Sequence, residues 1–159
     1  MDDRIHIVID TREQRPWSFD ESNVITELGT LKTADYQLKD DFRFGIERKS
    51  LDDFVGTISS GWKRFQREIK RMDEGAWDAK VVIVEGNFRD CCYSERDGMI
   101  IPPVHNHHRI SPKFIMKQVA LLTLDRVSVL FAGDAHMASN LAYQIFKERH
   151  EELNRDIEF

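Results

Sequence analysis

The stretch TADYQLKDDFRFGIERKSLDD, residues 33–53, reads as two short strands joined by a tight corner and running into a helix. In the first arm Ala34, Tyr36 and Leu38 alternate with Asp35 and Gln37. In the second, Phe42, Phe44 and Ile46 alternate with Arg43, Gly45, Glu47 and Lys49. Strict alternation gives each arm one oily and one polar face. Register then decides what the polar faces hold, because a slip of one residue sends every side chain of a strand to the opposite side. A two-residue turn at 40–41 would set Asp35 against Ile46, a charge against a core residue. A three-residue corner at 40–42 pairs Leu38 with Phe44, Tyr36 with Ile46 and Asp35 with Glu47, and keeps both patterns consistent. Two carboxylates then stand roughly 5 Å apart at Cβ, with Lys49 on the same face. Like charges so placed are unfavourable unless a proton or a cation lies between them. A divalent metal with oxygen ligands is the natural occupant.

Just beyond the hairpin, Ser50 can cap a helix, with Asp53 three residues on in the manner of a capping box. An acid in the first turn also suits the helix dipole, so Asp53 is read as a positioning residue. That helix should end before Gly61. From there Trp62, Phe65, Ile69 and Met72 form an apolar stripe at helical spacing, and Lys63, Arg64, Arg67, Lys70 and Arg71 fill an arc on the other side. Only Glu68 interrupts these cations, so the arc is either a solvated face or a phosphate-binding one. Gln66 lies next to the stripe, where it can turn inward toward the carboxylates.

On the other side of the hairpin, residues 5–9 form a near-continuous apolar run, as in a strand covered on both faces. Asp10 emerges at its end. Ends of strands in α/β sheets are common places for ligands, so Asp10 either serves the following turn or joins Asp35 and Glu47 as a third metal ligand or near-ligand. Glu13, in the Pro16-containing loop, is the weakest of the candidate acids. Residues 24–31 read as a short helix or an irregular return. Farther along, 80–85 is a buried strand ending in Glu85, 111–125 a helix with Ser111 as cap and Pro112 in its first turn, 127–131 a strand, and 135–153 a closing helix. The helix at 111–125 buries Phe114, Ile115, Val119 and Leu122, and the last one carries Ala138, Leu141, Ala142, Ile145, Phe146 and His150 on one stripe. Residues 87–111 hold Cys91, Cys92, His105, His107 and His108, at spacings that match neither C-x-x-C nor H-x-x-x-H. They read as a mobile loop near a substrate rather than a zinc site, and His-Asn-His at 105–107 lacks the ββα-metal context of an HNH nuclease.

The element order is strand, hairpin, two helices, strand, helix, strand, helix, an α/β chain with a mixed sheet. A length of 159 residues suits one domain with a sizeable core. No apolar run approaches a membrane span, and the N-terminus lacks a signal peptide's basic start and apolar segment. With only two cysteines, adjacent in sequence, a disulfide framework is excluded and a reducing, intracellular compartment is expected, cytoplasmic or nucleoid-associated, or nuclear in a eukaryote. Net charge is −5, so attraction to a nucleic acid must come from local clustering.

The hairpin resembles the signature of the XPF-type, or ERCC4-domain, structure-specific DNA endonucleases: Gly-Asp, a variable run, then Glu-Arg-Lys-x-x-x-Asp. Asp35, Glu47-Arg48-Lys49 and Asp53 match it, and Ala34 stands in place of the glycine, a small-for-small exchange expected to be tolerated in a strand. VIDTREQRP (8–16) is similar to the family's opening strand ending in Asp-x-Arg-Glu, GWKRFQREIKRM (61–72) to its helix with a glycine and a glutamine five residues on, and VVIVEG (81–86) and residues 129–148 to its later strands and final helix. The resemblance covers most of the chain. It implies a restriction-endonuclease-like fold over a single domain, residues 1–159, without the tandem helix-hairpin-helix module of many relatives. It also implies metal-assisted phosphodiester hydrolysis at branched, flap or fork DNA, in repair, recombination or replication. Asp35, Glu47 and Asp10 would hold Mg²⁺, with Mn²⁺ able to substitute, because all are hard oxygen ligands. Lys49 would orient the attacking water or offset charge. Arg48, on the opposite face of its strand, is read as structural or as touching a neighbouring phosphate. Relatives pair through this domain, so a homodimer through the last two helices, using Leu121, Leu124, Leu141, Tyr143 and Phe146, is expected. Two other readings compete: a non-catalytic DNA-binding partner on the same fold, and an interaction protein whose hairpin acids are surface charges.

Overall fold

Tyr36 stands opposite Ile46 in the folded chain, the register expected, but it is the single pair between these two strands: residues 39–45 join them in place of a three-residue corner, Leu38 and Phe44 are not paired, and Phe42, expected on the oily face, is 74% exposed. The computed structural model describes residues 2–96, 98–101 and 110–155. Its main sheet is built from β1 (Ile5–Asp10), β2 (Val24–Gly29), β3 (Tyr36–Leu38), β4 (Ile46–Ser50), β5 (Lys80–Glu85) and β8 (Val127–Phe131), in the spatial order β2-β1-β3-β4-β5-β8. β3 runs antiparallel to both β1 and β4, and the other neighbours are parallel. The helices are α1 (Leu51–Ile58), α2 (Trp62–Glu74), α3 (Phe88–Cys92), α4 (Pro112–Leu124) and α5 (Ala135–Arg155), and β6 (Ser94–Arg96) pairs with β7 (Met99–Ile101) as a separate hairpin.

The sheet is covered on both faces. On one, Ile7, Ile9, Tyr36, Ile46 and Ile83 pack against Ala138, Ala142 and Phe146 of α5. On the other, Val82 and Val84 meet Phe54 and Ile58 of α1, Phe65 and Ile69 of α2, and Ile115 and Leu122 of α4. Successive β5 residues thus feed opposite layers, the pattern of a strand buried on both sides. This is the mixed α/β architecture with flanking helices that the element order implied.

Local chemistry sets the element ends. Ser50 Oγ accepts from Asp53 N at 3.1 Å and starts α1, and Ser111 Oγ accepts from Phe114 N at 3.1 Å and starts α4. Four expectations are corrected. Residues 24–29 form strand β2 at the sheet edge, not a helix or irregular return, and only Val24 of its six residues is buried, so no apolar period marks it. The stretch after Asn87 begins with α3, which sends both Cys91 and Cys92 into the second core layer. There burial pushes the Cys91 thiol up to about 12, an inert core thiol rather than a ligand; His105, His107 and His108 lie outside the described residues. In α4 the buried polar residue is Gln118, whose Nε2 donates to Ile58 O at 2.9 Å, while Phe114 and Val119 are only half-buried. In α5 it is Arg149, not His150, that is buried: its guanidinium makes paired bonds of 2.9 and 3.1 Å to Asp41 and reaches Asp78 at 2.8 Å, fastening the helix to the hairpin corner.

Candidate active site

Three neighbouring strands bring the hairpin acids together. Asp10 ends β1, and its N–H donates to Asp35 O at 2.9 Å. Asp35 precedes β3, and its Oδ2 accepts from Arg48 N at 2.8 Å. Glu47 lies in β4 one step beyond the Tyr36–Ile46 pair, which sets it across from Asp35. Lys49 Nζ lies 3.4 Å from Glu47 Oε1. Burial raises Asp35 to about 6, against the pull of the Arg48 N–H, and the charges of Glu13 and Asp10 add to the rise. Burial likewise raises Glu47 to about 7, opposed by Lys49 and reinforced by Asp35 and Glu68.

Glu47 Oε2 is buried and has no hydrogen-bond partner among the described residues. A buried carboxylate oxygen left without a donor is costly unless a proton or a cation satisfies it. The donor set of Asp35 and Glu47 fits a hard divalent ion held by two carboxylates and completed by water, the mode Mg²⁺ prefers. No three acidic, histidine or cysteine side chains among the described residues converge closely enough to enclose an ion by themselves. Asp10 is an adjacent acid with both oxygens engaged: Oδ2 accepts from Arg12 Nε at 2.7 Å and Oδ1 from Leu31 N at 3.2 Å.

The acids lie at the base of a cleft of about 610 Å³. Helix α2 forms part of its wall, and helical phase decides which side chains reach it. Phe65, Ile69 and Met72 bury one face, which turns Arg64, Arg67, Glu68 and Arg71 toward the cleft and leaves Lys63, Gln66 and Lys70 on the outward face. Gln66, expected to turn inward, is therefore exposed and outside the cleft lining, and the basic arc is split between two faces.

Arg48 points to the back of β4, as the alternation required. It bonds Glu85 and the Arg15 carbonyl, lies 3.3 Å from Glu13 Oε2, and stacks over the Trp17 ring at 5.2 Å. Glu85 also accepts from Trp17 Nε1 at 2.9 Å, and Glu13 accepts from the Tyr36 hydroxyl at 2.9 Å. Glu13 is thus a tied structural acid at the edge of the site, not a solvated loop residue. Asp53 is exposed in the first turn of α1, outside the cleft lining. Sequence reading missed Arg12, Lys32 and Glu68 as cleft residues. Glu68 was visible only as the odd acid in a basic run, and Arg12 and Lys32 sit in loops without periodicity.

Residues 9–145 match the family model of the ERCC4 domain, a span that includes every acid of the cleft. The chain belongs to the ERCC4 domain family. XPF from Aeropyrum pernix is similar in structure, with a TM-score of 0.63 at 20% identity over 96% of this chain and 69% of that one. XPF from Aeropyrum pernix in complex with DNA gives 0.66 at 22% identity over 94% of this chain and 66% of that one. At these identities the likeness is one of fold, the restriction-endonuclease-like fold. No curated protein matches the chain in sequence. In this ERCC4 domain Ala34 has φ 72°, a left-handed backbone that glycine adopts without strain. The glycine-to-alanine exchange is therefore not a small-for-small swap within a strand, as expected, but a strained one just before it.

Proposed function

We propose that this ERCC4 domain is a metal-dependent endonuclease that hydrolyses phosphodiester bonds of DNA at branched, flap or fork structures. The observation that carries the reading is the Asp35–Glu47 pair with its unpartnered buried Glu47 Oε2, beside Lys49, beneath a rim of exposed cations. Family membership and the likeness to a structure solved with DNA support DNA as the ligand. When bound, Mg²⁺, or Mn²⁺ in its place, supplies Lewis-acid polarisation of the phosphate and acidification of a water. Asp35 and Glu47 would hold it, with Asp10 as a near-ligand. Lys49 Nζ donates to the attacking water or to the phosphoryl oxygen on which charge develops. Glu47, raised to about 7 by burial, would have to be deprotonated to serve as a ligand. Arg48 acts from behind by fixing β4 against Glu13 and Glu85.

Labelled flap, fork, nicked and linear DNA, each with Mg²⁺, Mn²⁺ or chelator, provide the test. Cleavage of branched forms with either metal, lost in chelator and in Asp35→Asn and Glu47→Gln, is the expected result. Cleavage retained in either variant overturns the assignment, and DNA binding without cleavage by the unaltered protein supports the non-catalytic reading instead.

We further propose that the domain works as a homodimer through α4 and the region around it. Leu121 and Leu124 are exposed, in keeping with that role, and Met116 joins them. Phe146, by contrast, is buried within the domain's own core and does not form the surface, while Leu141 and Tyr143 pack half-buried against that core.

A further inference from the structure

The cations around the cleft are not equally committed. Arg12 is bonded to Asp10, and Arg64 approaches Glu68 at 4.0 Å. Lys32, Arg67 and Arg71 are exposed and have no ion-pair partner among the described residues. Arg67 and Arg71 come from α2, whereas Lys32 comes from the connection between β2 and β3, so separate elements supply the free cations of one cleft. That connection is fixed at the neighbouring residue. Leu31 N–H donates to Asp10 Oδ1 at 3.2 Å, Leu31 O accepts from Arg12 Nη2 at 3.2 Å, and Arg12 Nε closes the triangle on Asp10 Oδ2. Asp10 is 1% exposed, so the anchor is buried. An uncommitted lysine next to a backbone held at both its polar groups starts at the cleft with less freedom to lose than one on a free loop.

The charge layout states what such a cleft takes. Its acids are at the base and its free cations at the rim, so an anionic chain crossing the mouth meets cations before it meets the carboxylates. A cleft of about 610 Å³ is of the size that encloses a drug-sized group, which is one or two nucleotides of a single strand and not a duplex. A strand held only by α2 would be gripped on one side of the acid pair. We infer that Lys32 is a substrate-positioning residue: it binds a backbone phosphate of the scissile strand on the side of the acid pair away from Arg67 and Arg71, so that one strand is clamped from two walls. The inference rests on the nuclease reading above and adds to it the residue and the strand geometry.

The test is equilibrium binding, by fluorescence anisotropy in chelator, of a fork DNA carrying one neutral methylphosphonate at successive positions around the cleavage point. In the unaltered protein, neutralisation on either side of that point should weaken binding. Lys32→Gln should weaken binding of unmodified DNA by roughly two- to fivefold, the scale of one exposed charge contact, and lower the log-log salt slope by about 0.7 to 0.9. In that variant the methylphosphonate penalty should vanish on one side only, and in Arg67→Gln on the other. Lys32 is exposed, so the variant's thermal unfolding should match that of the unaltered protein. A Lys32→Gln protein that keeps the full two-sided pattern overturns the inference while leaving the nuclease reading intact. Failure of the unaltered protein to bind any DNA overturns both.

Discussion

Glu47 is held in a charge state that its surroundings penalise. Its folded value of about 7 lies above the ordinary 4.5, and that of Asp35, about 6, above 3.8. Between the ordinary and the raised values the folded chain binds more protons than the unfolded one, so metal-free stability rises as pH falls from about 8 toward 5. Replacing Glu47 with Gln removes the charge that is penalised at high pH. In chelator at pH 8, Glu47→Gln should be more stable to unfolding than the unaltered protein by on the order of a few kcal/mol at most, and the gap should close toward pH 5. Thermal unfolding across that range checks it, and an unchanged gap would mean that the carboxylate is not strained. A second residue-level strain sits next door. Ala34 at φ 72° costs about 1 kcal/mol relative to glycine, and its Cβ occupies the space where a Cβ on Gly45 would come within 2.8 Å. Ala34→Gly should therefore raise the melting temperature by roughly 2–4 °C, and make Gly45→Ala less damaging than it is beside Ala34, though Tyr36 O at 3.1 Å still crowds that position.

Among the elements, α2 shows where a pattern can be read and where it cannot. Its apolar stripe was legible, and Phe65, Ile69 and Met72 are indeed buried. The division of its polar side was not, because a phase error of one residue, about 100° around the helix, exchanges cleft for solvent. Gln66 fell on the outward side for that reason. The division predicts unequal effects: Arg64, Arg67 and Arg71 changed together to Ala should weaken DNA binding and lower its salt slope by about 2, whereas Lys63 and Lys70 changed together should leave the slope near its original value. Equal effects from the two variants would return the whole arc to solvation. The register that sets Tyr36 against Ile46 was legible from the alternation of both arms, but the corner was not, because residues 39–45 leave the sheet and Phe42 turns outward. Edge strand β2 was not, because only Val24 of its six residues is buried and the strand so carries no period, and α3 was not, because five residues are too few to show one. The loops that bring Arg12 and Lys32 to the cleft are fixed by hydrogen bonds to Asp10, which no local pattern in the sequence records.

At the scale of the whole molecule, the question is what covers α4. Ile115, Gln118 and Leu122 face its own core, while Leu124, 80% exposed, points away from it and Met116 and Leu121 are exposed on the two flanks. Three exposed large apolar side chains on one short helix are more than scattered surface apolar residues require. Beside α4 runs β8, the sheet's outermost strand. A second copy related by a two-fold axis would set the same face against itself, bury those side chains, and present two cation-rimmed clefts to one branched DNA, which strengthens binding without any new contact within either copy. Light scattering should then give a dimer mass at tens of micromolar for the unaltered protein and a monomer mass for Leu121→Glu with Leu124→Glu. Because both residues are on the outward face, the variant's circular dichroism and melting of the monomer fold should stay native-like. Cleavage of branched DNA should fall more than cleavage of single strands, since only the former engages two clefts. A monomer mass for the unaltered protein, with structure-selective cleavage still present, would rule the dimer out and leave the α4 face to another partner.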